Sequence, residues 1–255
     1  MVQRSAGSVN FEAALVSKSS DQRSSPMKAF ILAAGLGRRL RPLTKDTPKP
    51  MLSIGGKPLL QWHLEALVRA KIQQVVINTS WLAEQIEDYF GDGSSFGLNI
   101  LWSREKIPLE TGGGILSALP LLGDEPFLVI NGDIWTDFSL QQLCSQGLRD
   151  DVLGHLLMVE NPDHNLGGDF SLHDGRIGYE PERFTFSGIS LMSPALFKSL
   201  QVYPQIFPLR DLLKPAIMAN RISGHIYQGD WFDVGTVTRY NALNEHIRKY
   251  FNADS

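Results

Sequence analysis

Residues 29–50 read AFILAAGLGRRLRPLTKDTPKP, and this stretch decides the fold prediction. Residues 29–34 form a continuous apolar run that ends at Gly35, which is typical of a strand buried on both faces of a sheet. Helix and strand patterns alternate after it as far as about Asn161. This alternation predicts right-handed crossovers and an α/β fold, with a Rossmann-like, mostly parallel sheet and helices on both faces.

The second half of the chain has a different pattern. After Asn161 come short, irregularly spaced strand candidates, which predict small antiparallel additions at one end of the sheet; they span 170–172, 176–179, 184–192 and 222–227. Ligands of open parallel sheets bind outside the carboxyl ends of the strands. Function is therefore expected just after Ala34, Asn78, Trp102 and Asn131.

Length and composition describe an ordinary globular protein. The chain has 255 residues and a formal net charge of −3, so it has no broad basic field and nucleic acid is not an expected partner. No run approaches the roughly 20 apolar residues that span a bilayer, and the single cysteine, Cys144, excludes an intrachain disulfide, which suits the cytoplasm. The serine-rich residues 1–26 are interpreted as a leader, and a single domain is predicted over 27–255, as a monomer or small homo-oligomer.

The loop after the first strand is predicted to bind a polyphosphate. Gly35 and Gly37 permit a tight turn and let backbone N–H groups approach an anion. Pro48 and Pro50 flank Lys49 and restrict its backbone, so its ammonium loses less entropy when it is aimed at a ligand. Cationic side chains are concentrated in this loop: Arg38, Arg39, Arg41, Lys45 and Lys49.

Other interpretations of this loop fit less well. A dinucleotide-binding fingerprint requires Gly or Ala in place of Leu40 and an acidic residue in place of Asn78, and the P-loop pattern is absent. The alternative without a ligand is a glycine turn beside basic side chains that face the solvent, and a basic run alone would favour this interpretation. The combination of Gly-x-Gly, the arginines and Pro-Lys-Pro favours phosphate binding instead.

The same loop resembles the opening motif of the sugar-1-phosphate nucleotidylyltransferase family. The motif L-A-A-G-x-G-x-R, then P-L-T, then P-K-P, matches at every position, and the resemblance extends over nearly all of residues 27–250. It implies transfer of a nucleotidyl group from a triphosphate to a sugar 1-phosphate, release of pyrophosphate, and catalytic roles for Arg39 and Lys49. The nucleotide-binding residues expected from it and from a second glycine turn are Ala34, Gly35, Gly37, Arg38, Arg39, Lys49, Thr111 and Gly112.

Three later stretches resemble one subgroup of the family, the short uridylyltransferases that act on N-acetylmuramic acid 1-phosphate in peptidoglycan recycling. These stretches are residues 108–115, 131–137 and 186–190. The resemblance implies UTP and this sugar 1-phosphate as partners. Three alternatives remain open: a glucose- or mannose-1-phosphate nucleotidylyltransferase, a phosphocholine cytidylyltransferase, and a non-catalytic relative that only binds sugar nucleotides.

Two aspartates are expected to bind Mg²⁺. Asp133 follows the predicted strand 127–131, and Asp233 precedes Gly235, where the backbone can turn sharply. An aspartate after a strand is more often a turn or capping residue, and Asp137 is interpreted as a cap for the next helix. Asp133 and Asp233, however, match the metal-binding aspartates of the family, in the motifs Asn-Gly-Asp and Asp-Val-Gly-Thr. Hard cations prefer such oxygen ligands.

The base is expected against the second glycine turn, and the sugar against two polar side chains. Small residues at 111–114 would let a flat base lie on the backbone, although a plain helix-entry turn has the same pattern. Asn131 and Asp169 are the candidate partners for sugar hydroxyl or amide groups. The lysine that follows Glu180 in many relatives is missing, and Phe186 replaces an asparagine, which argues against the glucose and mannose enzymes.

Overall fold

The computed structural model describes residues 27–198 and 205–253, so the predicted leader at 1–26 lies outside the described residues. Within these ranges the chain forms thirteen strands and seven α-helices. In chain order the strands are β1 (Ala29–Leu32), β2 (Ser53–Ile54), β3 (Lys57–Pro58), β4 (Gln74–Thr79), β5 (Asn99–Arg104), β6 (Phe127–Asn131), β7 (Ile134–Thr136), β8 (Gly154–Val159), β9 (Ser171–His173), β10 (Arg176–Gly178), β11 (Thr185–Met192), β12 (Ile222–Tyr227) and β13 (Trp231–Asp233). The helices are α1 (Leu59–Arg69), α2 (Ala83–Phe90), α3 (Glu110–Leu122), α4 (Leu140–Gln146), α5 (Pro194–Lys198), α6 (Leu209–Met218) and α7 (Val237–Ala253).

Nine of the strands within the described ranges form one sheet, in the order β5-β4-β1-β6-β11-β8-β12-β10-β9. β1 pairs in parallel with both β4 and β6, and β4 pairs in parallel with β5. Two strands run against the others: β11, between β6 and β8, and β10, between β12 and β9. The predicted mostly parallel sheet with antiparallel additions in the C-terminal half is thereby confirmed.

The direction of β12 differs from the prediction. The irregular pattern of the second half predicts an antiparallel strand there, and this is wrong, because β12 pairs in parallel with β8 along its whole length. β11 already ends at the edge of the sheet at which β8 begins, because Met192 pairs with Gly154, and α5 and α6 lead the chain from there to Ile222 of β12, which also pairs with Gly154. Parallel neighbours need a connection that returns the chain to the edge where the first strand begins, and the residues of a strand do not report where that connection leads.

The core lies on both faces of the sheet, which explains the continuous apolar run of β1. Ala29 and Ile31 belong to the cluster under α1, α2 and α4, whereas Phe30 points to the opposite cluster under α3, α5 and α6. Successive strand residues face opposite sides, so a strand covered on both sides is apolar throughout. In the described part of the chain, no helix has the length and apolarity needed to cross a membrane.

A two-stranded ribbon, formed by β7 and β13, lies beside the carboxyl end of β6. Its register pairs Ile134 with Asp233, and the N–H of Val234 donates to the carbonyl of Asp133 at 2.7 Å. Trp135 and Val234 pack with α7 in a third buried cluster that fixes the ribbon on one side. The ribbon therefore brings together two aspartates that are far apart in sequence.

A pair of histidines, His155 buried and His225 half-buried, lies on the other half of the sheet. The Nδ1 atom of His155 is 2.8 Å from the Ser223 hydroxyl, and its Nε2 atom is 2.7 Å from Nδ1 of His225. Burial and the neighbouring His225 lower the pKa of His155 from 6.5 to about 4. Burial also lowers the pKa of His225. Both rings are therefore neutral in the folded protein at neutral pH.

This lowered pKa predicts a loss of stability in mild acid. Above pH 6.5 His155 is neutral in both the folded and the unfolded chain, so the free energy of unfolding does not depend on it. As the pH falls from 6.5 towards 4, the unfolded chain binds the proton first, and we expect His155 to cost about 2 kcal/mol of stability by pH 5. His155→Gln should show a smaller decrease in unfolding free energy between pH 7.5 and pH 5 than the wild type. The exposed His173→Gln is the control, and equal decreases in the wild type and His155→Gln would contradict the prediction.

Candidate active site

A cavity of about 560 Å³ opens at the carboxyl ends of β1, β4, β5 and β6. The register places Leu32, the last residue of β1, between Asn78 of β4 and Asn131 of β6. The expected location of the site, outside these strand ends, agrees with the position of this cavity. Of the predicted site residues, those that line it are Ala34, Gly35, Gly37, Arg38, Arg39, Lys49, Thr111, Asn131 and Asp133.

The glycine loop forms one wall of the cavity. Gly37 has a φ of 60°, in the left-handed region, and the Thr44 hydroxyl donates to its carbonyl at 2.7 Å. A Cβ atom at Gly37 would lie 2.9 Å from Cγ2 of Thr44, so both its backbone conformation and its packing require glycine. A Cβ atom at Gly35 would meet nothing within 4 Å. The loop is thus held tightly at Gly37 and leaves space for a ligand at Gly35.

Lys49 reaches from the loop to the end of β6. Its Nζ atom is 2.7 Å from Oδ2 of Asp133, and its side chain is only 11% exposed. Pro48, in an extended conformation, directs the chain into the short 3-10 turn that begins at Lys49. A charge-assisted contact of this kind is stronger than a neutral hydrogen bond. The predicted phosphate-binding lysine and the predicted metal-binding aspartate therefore meet in one contact.

Asp233 lies beside this pair, next to the cavity wall at Gly235. Its Oδ1 atom is buried and has no hydrogen-bond donor among the described residues, although Nε2 of His164 lies 3.1 Å away. A buried carboxylate oxygen without a donor is costly unless a cation meets it. Asp133 and Asp233 therefore fit a hard divalent cation, which favours oxygen ligands.

The remaining ligands of such a cation would have to come from outside the protein. Among residues 27–198 and 205–253, no group of three or more His, Cys, Asp or Glu side chains is placed to hold a metal ion. Mg²⁺ commonly binds through one or two carboxylates, with water and substrate phosphates completing its octahedron. The two aspartates beside a cationic phosphate loop match that type of site.

A buried carboxylate that the sequence did not single out shapes the cavity floor. Glu105 accepts from Asn78 Nδ2 at 2.7 Å and from the N–H of Leu109 at 2.9 Å, while Asn78 Oδ1 accepts from the N–H of Ala33 at 2.6 Å. Burial is the main cause that raises the pKa of Glu105. Gly114 leaves space for this network, because its Cβ atom would lie 2.8 Å from both side chains. The position of Glu105, directly after β5, was the signal available in the sequence.

The comparisons with known proteins agree with this geometry. The family profile described as Nucleotidyl transferase matches residues 28–165, more than half of the chain. The chain belongs to the nucleotidyltransferase family. The enzyme class predicted from the loop and the aspartates is thereby confirmed.

Individual relatives of this nucleotidyltransferase act on different sugars. It is 47% identical over 220 residues, covering 84% of this chain and 95% of the relative, to the N-acetylmuramate alpha-1-phosphate uridylyltransferase of Neisseria meningitidis serogroup B. It is 33% identical over 82% of its length to the mannose-1-phosphate guanylyltransferase catalytic subunit beta of Danio rerio, of which it spans 61%. A putative glucose-1-phosphate thymidylyltransferase from Bacillus anthracis shares the fold, with a TM-score of 0.79 at 21% identity, covering 87% of this chain and 95% of that one.

The second glycine turn of the nucleotidyltransferase is the first turn of a helix. α3 begins at Glu110, so residues 111–114 are helical. Thr111 lines the cavity, and its hydroxyl also accepts the N–H of Leu209 at 2.8 Å. A Cβ atom at Gly112 would lie 2.3 Å from the ring of Phe207, so Gly112 permits close packing against the segment that precedes α6. Within the described residues the structure brings Thr111, but not Gly112, to the cavity wall.

The two sugar-side candidates occupy different surroundings in the nucleotidyltransferase. Asn131 lines the cavity, whereas Asp169 lies outside the set of described lining residues. Oδ2 of Asp169 accepts the N–H of Phe186 at 2.8 Å and thereby shapes the loop before β9. Asp137 is not the predicted helix cap, and that interpretation is wrong. The residue before α4 is Ser139, and Asp137 instead accepts a hydrogen bond from the Tyr227 hydroxyl.

Proposed function

We propose that this nucleotidyltransferase transfers a uridylyl group from UTP to N-acetylmuramic acid 1-phosphate, forming a UDP-sugar and releasing pyrophosphate. The observation that carries the reaction is the contact of Lys49 with Asp133 beside Asp233, at the edge of a cavity walled by the glycine loop. The choice of UTP and of this sugar rests on the 47% identity to the uridylyltransferase of Neisseria meningitidis, which the chain covers almost completely.

The reaction is an in-line displacement at the α-phosphorus of the triphosphate. A phosphate oxygen of the sugar 1-phosphate forms the new P–O bond, and the bond to the β-phosphate breaks with its electron pair leaving on pyrophosphate. A phosphate monoester has a second pKa of about 6, so its oxygen is already anionic at neutral pH and no general base is required. Catalysis then consists of positioning and charge stabilisation.

Different residues of the chain would bind the triphosphate, the metal and the sugar. Backbone N–H groups near Gly35 and Gly37 would hold the triphosphate, with Arg38, Arg39 and Lys49 offsetting its charge and that of the leaving pyrophosphate. Asp133 and Asp233 would hold Mg²⁺, which lowers the charge on the reacting phosphates when bound. Ala34 and Thr111 would border the nucleotide, whereas Gly112 lies behind Thr111 and packs against Phe207. Asn131, at the cavity wall, and Asp169, on its loop, would contact the sugar.

The cellular setting follows from the chemistry. Cys144 is the single cysteine of the chain, so no intrachain disulfide is possible, which suits a reducing compartment. UTP and sugar phosphates are substrates of the cytoplasm. We propose a cytoplasmic monomer or small homo-oligomer without nucleic-acid or membrane partners.

Pyrophosphate release tests the proposal. The full chain is incubated with Mg²⁺, each of four nucleoside triphosphates, and the 1-phosphates of N-acetylmuramic acid, N-acetylglucosamine, glucose and mannose. We expect clear preference for UTP with the muramic sugar. Phosphocholine is included as a further acceptor, and preference for glucose or mannose 1-phosphate, or for CTP with phosphocholine, would replace the substrate assignment and keep the enzyme class. Nucleotide binding without turnover for any pair would support a non-catalytic role and overturn the proposal.

A further inference from the structure

Two basic side chains from distant parts of the chain meet at Asp233. Nη2 of Arg239, on α7, lies 3.1 Å from Oδ2, and Nε2 of His164, on the loop between β8 and β9, lies 3.1 Å from Oδ1. Each oxygen of the carboxylate thus has its own basic neighbour. The two contacts differ in how firmly the surrounding structure holds them.

We infer that Arg239 is a positioning residue that keeps Oδ2 of Asp233 fixed, and that His164 competes with the divalent cation for Oδ1. The inference rests on the proposed function in one respect, namely that Asp233 binds the metal. It makes Arg239 a permanent support of the metal site. It makes His164 an exchangeable contact that is released when the cation binds.

Arg239 is held in place by its helix and by Gly235. Its guanidinium lies against Gly235, where a Cβ atom would be 1.9 Å from Nη2 and would push the guanidinium from its present place beside Asp233. α7 is anchored by Leu243 and Ile247 in the buried cluster under the ribbon, and the Tyr240 hydroxyl donates to the carbonyl of Ser53 at 2.9 Å. The Arg239 side chain is 20% exposed, which limits its freedom further. Such an outer contact orients a metal-binding carboxylate.

His164 is held less firmly. Its side chain is 37% exposed, and Oδ1 of Asp233 still has no hydrogen-bond donor among the described residues despite the 3.1 Å approach. The contact is therefore not aligned as a hydrogen bond. The neighbouring Leu166 side chain is 75% exposed, so it does not pack over His164. A partly exposed and poorly aligned contact of this kind is weak, and a divalent cation at Oδ1 would displace it.

The loop that carries His164 also reaches the candidate sugar side. The same loop ends at Asp169, the candidate sugar contact, and its base is fixed by Asn161, whose amide donates to the carbonyl of Arg183 at 2.8 Å. With the base fixed, the contact at His164 is what joins the loop tip to Asp233. Cation binding would release the His164 side chain alone, because Asn161 and Asn165 still hold the loop through their bonds to the Leu166 carbonyl and the Thr185 hydroxyl.

The test is metal binding by the full chain at one fixed pH, without substrates, measured by the electron paramagnetic resonance of free Mn²⁺. Arg239→Gln should weaken Mn²⁺ binding by about 10-fold, and Arg239→Lys should recover part of the loss. His164→Asn should do the opposite and tighten Mn²⁺ binding by about 2- to 5-fold, because a competitor has been removed. The exposed Arg248→Gln, on the same helix, and His173→Gln should leave binding unchanged.

The two variants are expected to change the Mn²⁺ affinity in opposite directions, and a general loss of structure would not produce that result. Weaker Mn²⁺ binding in both Arg239→Gln and His164→Asn would indicate a merely structural cluster and overturn it. Unchanged binding in Arg239→Gln, or no Mn²⁺ binding by the wild type, would overturn it as well. If the pyrophosphate assay identifies a different pair of substrates, the Mn²⁺ affinities of these variants are unaffected. The substrate assignment and the roles of Arg239 and His164 can therefore fail independently.

Discussion

Asp133→Asn is expected to lower turnover by about 10³-fold while the protein stays folded. The asparagine keeps the shape of the side chain but replaces an anionic oxygen ligand by a neutral carbonyl, so the site loses half of its negative charge towards Mg²⁺. Lys49, 2.7 Å away, would also lose its ion-pair partner. Folding should be little affected, because the Asp133 side chain is 38% exposed and the backbone contact of Asp133 with Val234 does not involve the side chain.

Pyrophosphate release at saturating UTP and sugar 1-phosphate measures this effect, and thermal unfolding measures the fold. Asp150→Asn, an exposed aspartate away from the cavity, is the matched control and should keep full activity. A higher Mg²⁺ concentration should restore only part of the rate, since the charge of the ligand set has changed. Turnover within a few-fold of the wild type would remove Asp133 from the metal site.

The sheet was predictable in its first half because each local pattern there has one explanation. The apolar run of β1 is continuous because Phe30 faces one core and Ile31 the other. Parallel neighbouring strands place their carboxyl ends at one edge of the sheet, and Asn78 and Asn131 accordingly flank Leu32. The direction of β12 was not predictable, since it depends on where α5 and α6 take the chain and not on the strand's own residues.

The position of the glycine-loop residues around the cavity was also predictable, because they lie in one short stretch. Gly37 and Lys49 are twelve residues apart and belong to one sequence motif. The network of Asn78 and Glu105 and the contacts of His164 and Arg239 with Asp233 were not visible, because each joins separate elements. Gly112 is the opposite case, because it belongs to a visible motif but does not line the cavity. Its motif suggested a ligand contact, whereas a neighbouring ring, Phe207, already requires the glycine.

Lys49→Ala is expected to lower turnover by about 10²- to 10³-fold, and for a different reason from Asp133→Asn. The ammonium is nearly buried, with 11% of its side chain exposed, and it lines the cavity between the glycine loop and Asp133. Alanine removes a positive charge that would offset charge developing on the leaving pyrophosphate in a site where water screens little. Lys49→Arg should recover only part of the rate, because a planar guanidinium does not replace a compact point charge.

Metal binding separates the two variants. Asp133→Asn loses a ligand and should bind Mn²⁺ more weakly, whereas Lys49→Ala removes a cation that holds Oδ2 of Asp133 and should bind Mn²⁺ at least as tightly as the wild type. Lys45→Ala, in the same loop but exposed, should be unchanged in both assays. If Lys49→Ala loses turnover and Mn²⁺ affinity together, its main role is to support the metal site. If it loses turnover alone, the ammonium acts on the phosphates, as we propose.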